Sequence, residues 1–412
     1  MKIANTSTPA VVLSCPHHGG LGVTRSLGRL GIPVFNVDSN RWAPALFSRY
    51  CKGKSHWDFD HDPPEKSVHQ LITLARRVGQ KCILIPTTDA ATIFVADHAA
   101  ALNEWYIFPA QSSAMVQSLC NKKQMHDFAR KSNIPTPETF WPQTRADLIE
   151  CVRTLNFPVM IKAVDGALRK RTQQTKWIIR SRQDLFVLYD RVGDTKLSDM
   201  IVQEYIPGGE SAVWMFNGYF NQNSECLVSF TGRKLRQCPV YTGVTSLGVC
   251  QKNEVVEQAA KTLMQAAGYQ GIVDMDFRYD ARDGQYKLLD VNPRIGSTFR
   301  LFVSENGMDV ARALYLDLTR QPVPPARQPE GRKWLVEDFD LTASFRYGRD
   351  GVLNVREWAR SLRGVQESAF FCLDDLVPVL MMLRADVSES LRRIKPRWDP
   401  VLPFGNKHRA TL

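Results

Sequence analysis

The chain has 412 residues, of which 44% are hydrophobic and 23% are charged. This composition is typical of folded proteins and excludes disordered, collagen-like and small disulfide-stapled chains, while the length predicts two to three domains. The formal net charge of +11 favours anionic partners in general, among them nucleic acid, nucleotides, acidic metabolites and anionic lipid. Charge alone does not choose among these partners.

Neither the apolar runs nor the cysteines indicate a membrane-spanning or secreted protein. The longest apolar run, Leu376 to Leu383, is far shorter than the roughly 18 to 20 residues that a membrane-spanning helix needs. The N-terminus lacks the pattern of a secretory signal, so we expect a cytoplasmic protein. Nine single cysteines without a CxxC pair indicate reduced thiols and argue against a zinc site.

The first part of the chain alternates short apolar runs with helical patterns. Such alternation predicts a small parallel sheet in a Rossmann-like α/β domain. We place the end of this domain near residue 118. The predicted strands cover residues 11–14, 33–38, 81–86 and 106–108.

A glycine-rich turn follows the first predicted strand. The run Gly19-Gly20-Leu21-Gly22 approximates a dinucleotide fingerprint, but Arg25 stands where the third glycine belongs. A tight turn whose amides hold some anion at a helix N-terminus is therefore favoured over NAD binding. At the end of the third strand, we expect Asp89 to cap the helix that begins at Ala90.

Beyond residue 118 the pattern changes to an α+β type. A helix from Lys122 to Ser132 ends before two prolines, and a proline-rich linker at 321–329 precedes a C-terminal extension. The predicted domains are thus 1–118, 119–322 and 323–412. Within the second domain we predict helices at 145–156, 183–191, 255–267 and 300–318. We also predict strands at 158–164, 176–180, 200–206, 211–216 and 226–230, and a hairpin of 271–280 with 286–291.

The strongest chemical signal lies on this hairpin. Asp276 is on one strand, while Asp290, Asn292 and Arg294 alternate along the other and so share one face. Two carboxylates and an amide carbonyl are hard oxygen ligands that suit Mg²⁺ and leave room for water and phosphate oxygens. A strand face exposed to water is the alternative interpretation, and the other elements of the chain favour the metal site.

Five elements of the chain occur in the order and approximate spacing of one known family. The elements are Asn121-Lys122, the strand ending at Lys162, the segment Val202 to Ile206 with Glu210, Asp276, and Leu289 to Arg294. With them, residues 110 to 320 resemble the ATP-grasp superfamily of the carboxylate–amine ligase type, the group of biotin carboxylase, D-alanine ligase and D-aspartate ligase. The resemblance implies an N-terminal α/β domain followed by a two-lobed ATP-grasp fold.

The resemblance implies that residues 203–206 form the hinge between two lobes that bind adenine. The adenine amino group would meet the Glu204 carbonyl and the Gln203 side chain, and the Ile206 amide would meet a ring nitrogen. Glu210 would bind the ribose hydroxyls.

By the same resemblance, Asp276, Asp290 and Asn292 would hold Mg²⁺, with Mn²⁺ as an alternative, between the β- and γ-phosphates of ATP. Arg294 would stabilise an acyl-phosphate.

Lys122 and Lys162 would contact the ATP phosphates. From the residues alone, Lys162 ends an apolar strand, where a lysine is costly to bury unless it meets an anion, and an exposed strand end is the alternative. Lys122, with Lys123 beside it, is otherwise an ordinary surface lysine.

The phosphate-covering loop of the superfamily is commonly glycine-rich, whereas residues 165–172 here have one glycine and the basic run Arg169-Lys170-Arg171. Either basic side chains replace backbone amides there, or the loop is simply solvated.

A second basic cluster is a candidate for binding the substrate. Strand alternation directs Lys234 and Arg236 to one side and Arg233 to the other. In the superfamily this region approaches the acceptor, so these groups and Arg300 are candidates for a substrate carboxylate or phosphate. A surface cluster, and a helix N-terminal surface for Arg300, are equally open.

The resemblance implies an ATP-dependent ligase that activates a small-molecule carboxylate as an acyl-phosphate and joins it to an amine, releasing ADP and phosphate. An ATP-dependent carboxylase acting through carboxyphosphate is the alternative within the class. From other classes, a basic nucleic-acid-binding protein and an ATP sensor remain, although no nucleic-acid module is recognisable.

The C-terminal helical segment is amphipathic and basic. Its apolar residues, Phe370 to Leu383, precede Arg384, Arg392 and Arg393. We expect it to pack against the body or a second subunit of a homodimer, with peripheral contact to anionic membrane as the alternative.

Overall fold

The computed structural model describes residues 1–59, 61–163, 176–192 and 200–394 of the chain. The first sheet is built from β1 (Ala10–Leu13), β2 (Val34–Asp38), β3 (Cys51–His56), β4 (Cys82–Pro86) and β5 (Tyr106–Ile107), and the helices around it are α1 (His18–Gly28), α2 (Pro64–Val78), α3 (Asp89–Asp97) and α4 (Ala99–Leu102).

The strands of this sheet run parallel in the order β3-β2-β1-β4-β5. The predicted α/β class is confirmed, and four of the strands were predicted. Strand β3 was missed because it lies at the edge of the sheet, where Lys52, Lys54 and His56 alternate outward and leave no apolar run. Apolar side chains such as Val11, Val37 and Leu84 bury one face of the sheet.

A small antiparallel sheet follows. It is built from β6 (Thr139–Phe140), β7 (Val159–Ala163), β8 (Lys176–Ile179) and β9 (Met200–Glu204), in the order β6-β9-β7-β8. The helices of this region are α5 (Ser113–Cys120), α6 (Lys122–Lys131), α7 (Arg145–Thr154) and α8 (Arg182–Val192). Leu148 of α7 and Leu185 of α8 pack on Ile161 and Val202, so these two helices cover one face of the sheet.

The largest sheet has the order β14-β13-β10-β11-β12-β15-β16. Its strands are β10 (Val213–Phe220), β11 (Cys226–Cys238), β12 (Val244–Cys250), β13 (Gly271–Asp280), β14 (Gln285–Asn292), β15 (Lys333–Leu335) and β16 (Val365–Ser368). The hairpin β13–β14 matches the prediction closely, whereas β11 is much longer than its predicted core. Because β15 pairs with β12, the segment after residue 322 extends this sheet instead of standing apart from it.

Helices cover both faces of the large sheet. They are α9 (Glu254–Ala266), whose Leu263 packs with Phe216 and Phe277, and α10 (Val310–Leu318), whose Leu314 belongs to the cluster around Met215. The single helix predicted over 300–318 is wrong. A short 3-10 turn spans Phe299–Leu301, and α10 starts only after Asp309, whose side chain accepts a hydrogen bond from the Arg312 amide at 2.9 Å and caps the helix.

The C-terminal helices are α11 (Glu337–Arg349), α12 (Val355–Ser361) and α13 (Val377–Ile394). As expected, α13 packs against the body: Met382 is buried, and the Arg384 guanidinium lies 3.5 Å from the centre of the Trp42 ring. Leu376, Leu380 and Leu383 are exposed. Among the helices described, none has both the length and the apolar character needed to span a membrane.

Candidate active site

A cleft lies between the small sheet and the large sheet. It encloses about 960 Å³ when its open mouth is included. Strands β7, β8 and β9 contribute one wall, and β11, β13 and β14 contribute the other. Eight residues that the sequence singled out line it together: Lys122, Lys162, Gln203, Glu204, Ile206, Lys234, Asp276 and Asp290.

Two carboxylates face each other at one end of the cleft. Asp276 of β13 and Asp290 of β14 are direct cross-strand partners in the hairpin. Like charges in this arrangement destabilise a sheet unless cations compensate them. Lys234 donates to Asp276 at 2.8 Å, and Lys122, at the start of α6, contacts Asp290. Each carboxylate therefore has its own lysine.

The hairpin residues fit a magnesium ion by the chemistry of their donors. Asp276 and Asp290 supply carboxylate oxygens that line the cleft. Asn292, two residues further along β14, does not line it, and its amide oxygen accepts a hydrogen bond from Arg294 at 3.2 Å. Within the described part of the chain no group of three or more His, Cys, Asp or Glu gathers as a metal site. A site with two carboxylates suits Mg²⁺, because this ion keeps several water or phosphate ligands of its own.

Charge interactions set the protonation of these groups. Partial burial alone would raise the pKa of Asp290, but Lys122 outweighs it, and the pKa is lowered. Desolvation alone would lower the pKa of Lys122, but Asp290 outweighs it, and the pKa of Lys122 is raised. No described residue forms such an ion pair with Lys162, and burial and then the neighbouring Lys176 lower its pKa to about 7.

A third acid, Asp274, lies one pleat before Asp276 and was missed by the sequence analysis. Burial and then Asp276 raise its pKa to about 7. Its Oδ1 is buried without a hydrogen-bond partner among the described residues. A Cβ at Gly296 would lie 2.4 Å from its carboxyl carbon, so only glycine lets the segment after β14 pass this close. Strand alternation could have identified Asp274, because it lies two residues before Asp276 on β13 and shares its face.

The predicted adenine hinge lies at the end of β9. The Gln203 side chain donates its amide NH to Thr139 at 2.8 Å, which leaves its amide oxygen as the acceptor that a purine amino group needs. The Glu204 side chain turns away and pairs with Arg282 and Lys287. This leaves the backbone of residues 204–206 along the cleft wall.

Arg278 holds this hinge and was not predicted. It lies one pleat beyond Asp276 on β13 and lines the cleft. Its Nε donates to the Ile206 carbonyl at 2.8 Å. Glu210 lies in the 3-10 turn Glu210–Ala212 and accepts a hydrogen bond from the Tyr347 hydroxyl at 2.7 Å. Its proposed contact with ribose stays a prediction.

The placement of Arg236 in the substrate site is wrong. A β-bulge shifts the register between Lys234 and Arg236, so Lys234 and Gln237 line the cleft while Arg236 does not. Arg236 instead forms a paired hydrogen bond with Asp340 of α11, at 2.7 and 2.9 Å, and both side chains are buried. The guanidinium of Arg233 lies 5.5 Å from the centre of the Trp214 ring, away from Lys234.

Arg300 is likewise engaged within the protein, and its substrate role is corrected. It lies in the 3-10 turn Phe299–Leu301 and is 7% exposed. It pairs with Asp309 and, at 2.8 Å, with Glu367 of β16, which also binds Arg332. With its donors used in this buried network, Arg300 ties the segment after the hairpin to the C-terminal strand.

Arg294 links the end of the hairpin to helix α3, which follows β4 of the first sheet. Its Nε donates to Asp89 at 2.6 Å, and its Nη2 donates to the Asn292 amide oxygen at 3.2 Å. The sequence analysis expected Asp89 to cap α3, and this expectation is wrong. Thr88 caps the helix by accepting from the Ala91 amide. Asp89, the first helical residue, is thereby free to hold Arg294.

The glycine run of α1 serves close packing. A Cβ at Gly19 would lie 2.9 Å from the Ser297 Cα, and one at Gly22 would lie 2.8 Å from the Phe299 ring. These glycines let α1 approach the segment that follows the hairpin, which accounts for the run without a dinucleotide. The basic run Arg169-Lys170-Arg171 lies outside the described residues.

Comparison with known proteins agrees with this geometry. Residues 196–336 match the family described as "ATP-grasp in the biosynthetic pathway with Ter operon". A D-aspartate ligase from Enterococcus faecium is 25% identical over 288 residues, covering 66% of this chain and 68% of that protein.

Two solved structures share the fold. The ADP complex of an N5-carboxyaminoimidazole ribonucleotide synthetase superimposes with a TM-score of 0.64 at 12% identity, over 85% of this chain and 87% of that one. An L-amino acid ligase from Bacillus licheniformis gives a TM-score of 0.57 at 15% identity, over 79% and 76%. The family match over residues 196–336 and the shared fold agree with the resemblance to the ATP-grasp superfamily that the motifs indicate.

Proposed function

We propose that this protein is an ATP-dependent ligase that activates a carboxylate as an acyl-phosphate and joins it to an amine, releasing ADP and phosphate. The observation that carries this proposal is the pair Asp276 and Asp290, each matched with a lysine at one end of the cleft, with the predicted hinge beside it. The likeness to a D-aspartate ligase supports an amino acid as one of the two substrates.

The cleft residues divide the work on the nucleotide. The backbone of residues 204–206 and the Gln203 amide oxygen would hold the base, and Lys122 and Lys162 would bind the phosphates. Asp276, Asp290 and Asn292 would hold Mg²⁺, which, when bound, neutralises the charge that develops during phosphoryl transfer.

The reaction proceeds in two displacements. A carboxylate oxygen of the acid attacks the γ-phosphorus of ATP, and ADP leaves. The amine nitrogen then attacks the acyl carbon, the bond to the phosphate oxygen breaks, and the amine proton passes to solvent. Arg294, held by Asp89 beside Asn292, would stabilise the negative charge on the acyl-phosphate in both steps.

The proposal is tested by supplying ATP and Mg²⁺ with pooled carboxylic acids, amino acids and amines, and by identifying the nucleotide product by chromatography. ADP and phosphate that appear only when both an acid and an amine are present support the ligase. ADP formed with bicarbonate and an amine alone would favour the carboxylase. AMP as the product would contradict the acyl-phosphate chemistry, and nucleotide binding without turnover on any pool would favour a sensor.

A further inference from the structure

Lys176 occupies a position in the cleft that none of the roles above uses. It is the first residue of β8 and lies directly opposite Lys162 of β7 in the antiparallel register. Both side chains line the cleft. Two lysines in this arrangement repel each other and weaken the pairing of the strands. An anion that lies between or above the two ammonium groups would relieve this repulsion.

Lys176 also crosses the cleft. Its Nζ donates to the Thr242 carbonyl at 2.9 Å, in the turn between β11 and β12 on the opposite wall. The turn is tightly folded, because a Cβ at Gly243 would lie 2.1 Å from the carbonyl carbon of Cys238. The Thr242 carbonyl is therefore presented at a defined place. An ammonium group has three N–H donors, so two remain for a ligand.

The charges around Lys176 call for a multiply charged anion. Desolvation and then Lys234 lower the pKa of Lys176, and Lys176 in turn lowers the pKa of Lys162. Among the residues described, four lysines and Arg278 line the cleft against three carboxylates, those of Glu204, Asp276 and Asp290. The strongest repulsion on Lys176 comes from Lys234, which pairs with Asp276 at the metal end.

We infer that Lys176 is a third phosphate-binding lysine, which contacts the terminal phosphate of ATP while its bond to Thr242 ties the two walls of the cleft together. This inference rests on the proposed function, because it requires ATP in this cleft.

The test compares nucleotides that differ only in their phosphates. With Mg²⁺ present, titration calorimetry gives the Kd values of ATP, ADP and AMP for the wild-type chain and for Lys176→Met. We expect the variant to weaken ATP binding about tenfold to a hundredfold, as for loss of a charged hydrogen bond, and to leave AMP unchanged. Lys176→Arg should restore most of the affinity. Lys252→Met is the matched control, because Lys252 pairs with Glu254 outside the cleft.

The outcomes separate this inference from the proposed function. A wild-type chain that binds no Mg²⁺–ATP would overturn both. A wild-type chain that binds ATP, with equal changes of Kd for ATP, ADP and AMP in Lys176→Met, or with none, would overturn the inference alone. Thermal unfolding checks that the variant is folded, and Lys176→Gln, which keeps a polar side chain, replaces it if it is not.

Discussion

Lys122 Nζ contacts Asp290 Oδ1, and this ion pair joins the first turn of α6 to the last strand of the hairpin across 168 residues of sequence. Lys122 was predicted to bind phosphate and Asp290 to bind metal. Their contact brings the two halves of the proposed site together, since Mg²⁺ bound to a nucleotide shares the phosphate oxygens with lysines. Lys234, a candidate for substrate binding, forms a second such ion pair with Asp276, the other predicted metal ligand of the hairpin.

Replacement of Asp290 by Asn should reduce turnover at least a hundredfold and change the unfolding temperature little. The amide keeps the shape of the side chain but removes the charge that the metal and Lys122 need. The measurements are ADP release at saturating ATP and Mg²⁺, and the unfolding temperature. Asp283→Asn, in the turn of the same hairpin, is the control and should keep full activity. Turnover of Asp290→Asn within fivefold of the wild type would remove the carboxylate from the metal site.

ATP binding should take up a proton near pH 8. The pKa of Lys162 is about 7, well below its usual value, so the group is mostly neutral at pH 8. A phosphate beside it favours the charged form and raises its pKa. The affinity for ATP should therefore be greatest below pH 7 and fall as the pH rises from 7 toward the pKa of the complex.

Calorimetry in buffers with different ionisation enthalpies measures this proton uptake. The Lys162→Arg variant, whose guanidinium stays charged, is the control and should show no uptake at pH 8. Equal uptake by both proteins would assign the proton to another group.

Removal of Arg236 should destabilise the protein and leave its kinetics intact. Arg236→Met leaves Asp340 as a buried carboxylate without its partner, which typically costs about 3 to 5 kcal/mol of unfolding free energy. Because the pair lies outside the cleft, KM for the substrates should not change. Urea unfolding and steady-state kinetics test both parts. In a double-mutant cycle, Asp340→Leu should add much less destabilisation once Arg236 is gone. A large rise of the acid's KM with normal stability would return Arg236 to the substrate site.

Asp89→Asn should lower kcat with little effect on KM for ATP. The amide no longer provides the charge that holds Arg294 beside Asn292. Arg294 then loses the orientation that its proposed contact with the acyl-phosphate requires. We expect a decrease of about tenfold, as is typical when a charged hydrogen bond that positions a catalytic group is lost. Thr88→Ala, which removes only the helix cap, is the matched control. An effect of Asp89→Asn on KM for ATP alone would place Asp89 in nucleotide binding.

Local patterns in the sequence predicted the hairpin, and the resemblance to the superfamily implied most of the eight predicted residues that line the cleft. Asp276 and Asp290 were identifiable because strand alternation and turn residues are local signals. Arg236 was misplaced because a β-bulge is invisible in the alternation, and one shifted residue exchanges the two faces of a strand. The joining of β15 to β12 depends on pairing across more than 80 residues, for which a single sequence has no signal.

Side-chain pairs between residues far apart in the chain could not be predicted from the sequence either. The Asp89–Arg294 pair links residues 205 positions apart, and the helix-capping rule pointed to a local role for Asp89. Lys176 resembled any surface lysine, since only the fold places it opposite Lys162. The local chemistry was thus predictable, and the pairing across the fold was not.

The most direct test of the central claim follows one oxygen atom. Pooled acids carrying ¹⁸O in their carboxyl groups are supplied with ATP, Mg²⁺, amines and unlabelled bicarbonate, and the released phosphate is examined by ³¹P NMR. An acyl-phosphate passes its bridging oxygen to phosphate, so the account predicts phosphate with a single ¹⁸O atom and ADP in equal amount. Unlabelled phosphate released together with ADP would contradict it.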